Sequence, residues 1–540
     1  MTSISTEFLA PGELSLPPFA SFARRVPGFR VPTSLDEIAP RADHWLPEER
    51  VELATAIERG LAPTQPPVAV LDSVRQLALP EACCVVTGQQ PGLLGGPLYS
   101  LYKALHAIRL ARSLSVAWER PVVPIFWNHA DDHDVAEVHH SWILNENLDL
   151  QRLGLAALSS GRQPVSRIVL REDKQRMGAV RESLRQLLGR EPHGEAAIEL
   201  FLPRDGETFA TSFTRVLNEL LGPLGLVVLE PDWIRESLSR ALARIVTAPL
   251  ASELAAGERA LTEIGAKPAI ESATAALVYH VDERGRNALR LGGDGFRYDD
   301  EEGSRTAAEL AAEIVQRPLE WSPGALLRPL VQDTVLPVVA YVGGWGELNY
   351  LAQLGPLRDA LELPHTAAVP RWSCTLVEPE TADAATQLGL PIAHAIATRG
   401  EGLADVPEEP PPPVIEELRE IARRADRELS ARKATLSELD KGLGANLPRT
   451  GDQIRAMVEK ICERAERVHA NRSGRGRRLV RRVTNSLTPR GELQERVLGA
   501  LPFVARHGTD WIEMLLEPMT PIAHGHMIAR FGDAPQETQG

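Results

Sequence analysis

The spacing of apolar and polar residues changes abruptly within residues 85–110, VVTGQQPGLLGGPLYSLYKALHAIRL, and the rest of the chain is organised around that change. Residues 83–86 form a short unbroken apolar run, which predicts a buried strand. Gly88, Gly92, Gly95 and Gly96 then supply a turn, Pro97 suits the first turn of a helix, and Leu98, Leu101, Tyr102, Leu105 and Ile108 share one helical face. A strand, a glycine turn and a helix N-terminus together suit a phosphate or carboxylate, although glycines at such turns also serve packing alone. The spacing matches neither GxGxxG nor GxxxxGK[ST].

Residues 121–127, PVVPIFW, predict a second buried strand, so strand, helix and strand make a βαβ unit of an α/β fold. That strand runs into NHADDHDVAEVHH at 128–140, the densest group of ionisable residues in the chain. Asp131, Asp132, His133, Asp134, Glu137, His139 and His140 follow the carboxyl end of a strand, where α/β sheets place ligands. Carboxylates beside an imidazole suit general acid/base work or a divalent metal; the alternative is a charged loop with a capped helix start. His129 and His133 are four apart, but no HExxH motif and no third ligand accompany them, so no metal is assigned.

Residues 150–320 predict inserted connective subdomains, with helices at 174–188 and 209–221, a strand with an acidic end at 225–233, and a helical stretch at 234–263 divided by Pro249. Alternating residues at 275–300 predict hairpins of an accessory sheet. Residues 322–354 repeat the opening logic: a strand at 335–342, a turn at Gly343, Gly344 and Gly346, and a helix starting at Glu347. This turn is expected to face the first across the sheet, with Gln332, Asp333 and Glu347 beside it, and 365–379 reads as a returning strand region. The first eighty residues predict an irregular arm followed by helices at 46–60 and 68–78.

Consecutive prolines mark 401–413 as a linker, which puts the core at 1–400. Apolar residues spaced by three or four then predict a helix over 414–443, a break at 444–451, GANLPRTG, and a second helix, together an antiparallel coiled-coil arm at 414–484. About thirty helical residues extend ~45 Å, long enough to seek a partner. Arg472, Arg475, Arg477, Arg478, Arg481 and Arg482 follow, either a solvated basic face or an anion-binding one, and 485–540 is apolar enough to dock back on the core.

Composition narrows the function. A formal net charge of −14 argues against nucleic acid and anionic membranes as main partners. Four cysteines without CxxC spacing disfavour disulfide and zinc scaffolds, and no targeting segment or apolar run of ~20 residues is present, so a soluble cytoplasmic protein is expected.

The motifs TGQQPGLLGGPLYSLYK at 87–103, PIFWNHADDHDVAEVHH at 124–140, LLRPLVQDTVLPVVAYVGGWGELNY at 326–350 and PRGELQERV at 489–497 resemble, in this order, the bacillithiol biosynthesis cysteine-adding enzyme family, BshC. Where that family usually carries Glu before Asp-His-Asp, this chain has Asp131. The resemblance implies a Rossmann-like parallel-sheet core with inserted subdomains and a C-terminal α-helical coiled coil that forms a homodimer. It implies a ligase that joins cysteine through its carboxyl group to the amino group of glucosaminyl-malate, giving bacillithiol, with ATP and its magnesium expected to activate the carboxyl group as an acyl adenylate or acyl phosphate. The HIGH and KMSKS signatures of class I synthetases are absent, so that analogy supplies no catalytic residues. Carried by motif position, Gly88, Gln89, Gln90, Gly95 and Gly96 would form the first ligand turn, with Lys103 too far along its helix to contribute. Asn128, Asp132, His133 and Asp134 would bind substrate or accept the amine proton, and Gln332, Asp333, Gly343, Gly344 and Glu347 would form the opposite wall. The competing readings are a metal-dependent amide hydrolase built on 129–140 and a coiled-coil scaffold whose arginines hold nucleic acid.

Overall fold

The computed structural model describes residues 2–9, 12–40, 47–155, 162–170, 174–293, 295–299, 304–401, 403, 412–522 and 525–533, with side chains also left undescribed at 2, 47, 174–176, 467, 470–475 and 533. Most of the expected linker at 401–413, and the side chains of Arg472 and Arg475, therefore lie outside the described residues. Two compact units emerge: residues 1–379 with 486–540, and residues 380–485. The second begins ahead of the Pro-rich stretch, and the chain after 485 belongs to the first.

At the centre of the first unit, β1 (Cys83–Gln89) leads into α1 (Leu98–Trp118) and β2 (Val122–Asn128), followed after an excursion by α2 (Phe209–Leu221) and β3 (Val227–Leu229). Then come α3 (Arg328–Val335), β4 (Val338–Gly343), α4 (Trp345–Ala352) and β5 (Ala367–Pro370). The five strands form one parallel sheet in the order β5-β4-β1-β2-β3. Every residue of β2 and β4 is buried, as expected for parallel strands covered on both faces. Thr87 pairs with Val342 and Gln89 with Asn128, so both glycine turns and the 128–140 segment leave the same edge of the sheet.

The amphipathic reading of α1 is incomplete. Besides its predicted apolar face, Lys103, His106, Ala107 and Ala111 are also buried, because the C-terminal segment covers the helix. Leu98 N–H donates to the Leu498 carbonyl at 2.7 Å, and Arg109 Nε to the Met519 carbonyl at 2.9 Å.

Several local expectations give way to longer-range pairing. The irregular start contains a strand, Thr2–Leu9, antiparallel to His526–Asp533, which runs parallel to Cys374–Val377. The returning region thus contains two strands of different sheets, and the chain leaves the central sheet at Arg371. Residues 328–335 are helical, so β4 starts only after Pro337. The accessory sheet has five strands, ordered Ser304–Thr306, Gly295–Tyr298, Gly285–Gly292, Val278–Asp282 and Trp321–Pro323. His140–Leu144 and Leu150–Gly154 form a hairpin that the pattern did not indicate.

In the second unit, α5 (Pro413–Ala431) and α6 (Lys433–Leu439) precede α7, a helix of 47 residues at Lys441–Leu487. The helices run antiparallel: Arg419 meets Glu459 at 2.7 Å and Arg455 meets Asp426 at 3.6 Å, while Cys462 Sγ lies 3.6 Å from the Ile415 carbonyl in the seam. The reversal lies at 432–440, however, and GANLPRTG is helical. Asp440 adopts an extended conformation and accepts the Leu443 N–H at 3.0 Å, capping α7 early enough that Pro448 costs it one hydrogen bond without ending it.

Candidate functional site

One buried ammonium organises the carboxyl edge of the sheet. Lys103 Nζ, on the second turn of α1, lies 2.8 Å from the Gly88 carbonyl, 2.8 Å from Gln89 Oε1 and 2.7 Å from Glu347 Oε2. It joins the first glycine turn to the second, correcting the expectation that Lys103 stands too far along its helix. Burial pushes the ammonium below the usual lysine range, against the pull of Glu347. Glu347 Oε2 also accepts the Gly344 N–H at 2.8 Å, so the carboxylate caps α4 as it holds the lysine. A Cβ at Gly343 would come within 3.2 Å of that carboxylate, and one at Gly88 within 2.5 Å of His129 Nε2. Gly88 needs the absence of a side chain, since the Trp127 carbonyl also stands 2.7 Å away, and Gly343 leaves a tight fit.

Gln89 and Gln90 connect this bridge to the acidic segment. Gln90 Nε2 donates to Asp132 Oδ2 at 2.5 Å, and the His129 N–H donates to the Gln89 carbonyl at 3.0 Å. Asp132 Oδ1 accepts the His133 N–H at 2.7 Å and lies 3.4 Å from His133 Nδ1. Arg286, from the accessory sheet, stacks over Tyr279 at 3.6 Å and places Nη1 3.3 Å from Asp132 and 3.4 Å from His133 Nδ1. Burial works against the Asp132 charge, but His133, Arg286 and Gln90 outweigh it and hold the carboxyl well below its ordinary value. His129 is enclosed between the charges of Arg328, Lys103 and Asp132; burial, then the two cations, keep it neutral, and its Nε2 has no protein partner.

Other members of the segment have different work. Asp131 pairs through both carboxylate oxygens with Arg235, and Asp134, exposed, caps a short helix by accepting the Ala136 N–H at 3.1 Å. His139 Nδ1 faces the Val135 carbonyl and its Nε2 faces Arg152 of the hairpin. Asn128 Nδ2 donates to the Ala210 carbonyl and to Thr214 Oγ1 of α2, each at 3.1 Å, leaving Oδ1 enclosed without a partner. Gly95 and Gly96 take positive φ, and side chains there would meet Phe201 and Phe213; the structure places them at a packing contact with the insertion, apart from Lys103.

On the opposite wall, Gly343, Gly344 and Glu347 surround the bridge, whereas Asp333 is closed into a network with Arg358 at 2.7 Å, Thr366 at 2.6 Å and Gln332 at 3.0 Å. Gln332 reaches the site through Arg328, whose Nη1 donates to it at 2.9 Å and whose guanidinium lies over Tyr341. Arg371 completes the edge, over the Tyr99 ring at 5.4 Å; burial, then the charges of Glu137 and Glu347, push that phenol up to about 12. Arg328 sits within the motif at 326–350 and Arg371 inside the returning strand region expected at 365–379, signals available in the sequence. Arg286 carried none. Among the described residues no three of His, Cys, Asp and Glu converge as metal ligands.

Lys103, with Arg328 and Arg371 close enough to feel the charge of Glu347, an enclosed neutral imidazole and an ionised Asp132 against His133 make an arrangement that can hold an anion beside acid/base groups. Residues 32–372 match the model described as "Bacillithiol biosynthesis BshC, N-terminal Rossmann-like domain", and residues 374–531 match "Bacillithiol biosynthesis BshC, C-terminal coiled-coil domain". The chain belongs to the BshC family. Curated BshC relatives named "Putative cysteine ligase BshC" include those of Solibacter usitatus, 31% identical over 490 residues, and Koribacter versatilis, 31% identical over 484, each with 88% of both chains covered. That of Geobacillus kaustophilus is 28% identical over 488 residues, covering 85% of this chain and 86% of the relative. The site residues Gly88 to Arg371 fall in the BshC Rossmann-like match, while the second match contains, besides the arm, the segment that covers α1. No described helix is long and apolar enough to cross a membrane, and all four cysteines are buried and outside any disulfide.

Proposed function

We propose that this chain is the cysteine ligase of bacillithiol biosynthesis, forming an amide between the carboxyl group of cysteine and the amine of glucosaminyl-malate in the cytoplasm. Family membership supports the coarse reaction, and the bridge of Lys103 between the two glycine turns is the observation that carries the site. Amide formation from a free carboxylate is uphill in water, so ATP, brought with magnesium, is the proposed cosubstrate; it supplies the phosphate on which the carboxyl oxygen leaves. Lys103, Arg328 and Arg371 fit its negative charge or that of a substrate carboxylate, because three cations at that edge face two carboxylates, Glu347 and the Glu495 that pairs with Arg371 at 2.6 Å. His133, partly exposed and set against Asp132 and Arg286, accepts the proton of the attacking amine, and Asp132 stabilises the imidazolium that results. The arm forms the homodimer.

The test is mass spectrometry of the full chain with cysteine, glucosaminyl-malate, ATP and magnesium, with one component omitted in each control. Bacillithiol only in the complete mixture supports the ligase, and AMP or ADP beside it identifies the activation. Product without ATP overturns the proposed cosubstrate, and no product from folded protein overturns the ligase reading in this form.

A further inference from the structure

Arg371 enters the site from the turn after β5, where the chain leaves the central sheet, and its N–H donates to the Gly343 carbonyl at 2.8 Å. Its guanidinium has five N–H donors. Nη2 donates to Glu495 Oε1 at 2.6 Å and Nη1 to the Trp372 carbonyl at 3.1 Å, while Nε has no described partner and lies on the side of Gly344, 3.8 Å from where a Cβ there would stand. The side chain is only 13% exposed. The donors left over beside the glycine turn stay open to an acceptor that no described residue supplies.

Glu495 belongs to the PRGELQERV motif, in which the neighbouring Gln494 bonds both the N–H and the carbonyl of Leu376. Its side chain is 1% exposed and its carboxylate accepts from three donors: Arg371, Ser373 Oγ at 3.0 Å and the Cys374 N–H at 3.0 Å. Ser373 Oγ is in turn 2.8 Å from His526 Nδ1, and His526 Nε2 is 2.8 Å from Thr375 Oγ1. The carboxylate is therefore fixed by two strands and cannot follow the arginine. Burial opposes its charge, yet Arg371 and the backbone donor keep it below the usual carboxylate range. An arginine side chain is long and flexible; one held at one edge by an immobile carboxylate presents the other in a single orientation.

We propose that Arg371 is an oxyanion-binding residue of the site and that Glu495, supplied by the C-terminal segment, is its positioning residue. The ligand chemistry is a carboxylate or phosphate oxygen, and its source within the ligase reading, on which the choice of probes rests, is glucosaminyl-malate, cysteine or the nucleotide. Lys103 and Glu347 lie close enough to feel the charge of Arg371. Lys103 has all three of its donors committed to Gly88, Gln89 and Glu347, so an anion held by Arg371 would lie beside the second glycine turn, with the ammonium adding charge and no hydrogen bond.

The experiment is calorimetric titration of the full chain with L-malate, L-cysteine and pyrophosphate, for wild type, Arg371→Gln, Arg371→Lys and Glu495→Gln, with circular dichroism on each. One of the three probes binds the wild type, Arg371→Gln weakens that probe tenfold or more, and Arg371→Lys loses less. Glu495→Gln weakens the same probe several-fold, and in turnover raises KM for the substrate bearing that anion while leaving kcat and the other KM values within about threefold. A residue serving only the fold would lower the active fraction without selecting one substrate, and that pattern overturns the positioning role. Binding unchanged in folded Arg371→Gln or Arg371→Lys, or no binding of any probe to the wild type at millimolar concentration, overturns the oxyanion site. Arg371-dependent binding without bacillithiol formation would remove the ligase reading and leave this one standing. Bacillithiol formation with unaltered KM values in Arg371→Gln would do the reverse.

Discussion

Lys103 and Glu347 meet at 2.7 Å beneath the carboxyl edge of the sheet, one from the helix after the first glycine turn and the other from the helix after the second. The lysine side chain is 3% exposed and the glutamate 19%, so removing either charge leaves the other poorly hydrated. Breaking a buried pair by deleting one partner costs ~3–5 kcal/mol. Lys103→Met is expected to lower unfolding free energy by about 3 kcal/mol, and Glu347→Gln by less, because the ammonium keeps the Gly88 and Gln89 acceptors. Urea titration checks both; a loss under ~0.5 kcal/mol in Lys103→Met would show that the bridge is not part of the folded core.

His133 is expected to contribute to turnover and not to stability, since it is partly exposed and its partners are held by other contacts. His133→Ala should lower kcat by ~100-fold, as for loss of an acid/base group, with an unchanged melting temperature. Wild-type kinetics in that variant would remove His133 from the mechanism.

Glu230, directly after β3, is 6% exposed, and its carboxyl accepts the Thr214 hydroxyl at 2.6 Å, with no cation paired to it among the described residues. Burial, and then the charge of Asp232, raise its carboxyl to about 7. Between about 4.5 and 7 the folded protein holds a proton there that the unfolded chain has lost, so stability falls as pH rises through this window, by about 3 kcal/mol in all. Glu230→Gln should abolish that component. Parallel denaturation curves at pH 5 and pH 7.5 for the two proteins decide it: an equal pH dependence would show that Glu230 is ionised in the fold.

The arm leaves Met457 68%, Ile461 58% and Leu439 78% exposed, an apolar surface larger than isolated side chains require. A homodimer at micromolar concentration is expected by sedimentation, and the pair Met457→Glu with Ile461→Glu should yield monomers whose first unit melts as before. A monomeric wild type would contradict the proposed use of the arm.

Arg286 tests whether the insertion serves the chemistry. Arg286→Gln should release the depressed Asp132 carboxyl upward. A lowered folded value means that the stabilisation is present above the unfolded carboxylate range and lost as pH falls, so the variant should lose activity at a higher pH on the acidic side. An acid limb in the same place would dissociate Arg286 from Asp132.

Much of this protein was legible without its structure wherever neighbours a few residues apart decide the outcome. Helices at 174–188 and 209–221 are the observed Lys174–Leu188 and Phe209–Leu221, because their apolar spacing is their burial pattern. The two strand, glycine turn and helix units were legible for the same reason, and the quoted motifs named the family. Turn chemistry was harder: GANLPRTG looked like a break, yet the cap at Asp440 decided where the helix begins.

The sequence alone determined the α/β class, both glycine turns, the acidic segment and the arm, since periodicity and turn residues act over two to four positions. Only the tertiary structure decided which charges meet. Asp132 and Arg286 are 154 residues apart, and Arg371 and Glu495 are 124 apart. Their encounters depend on strand order and on which segment covers α1, and a buried charge is tolerated only where such an encounter supplies its partner.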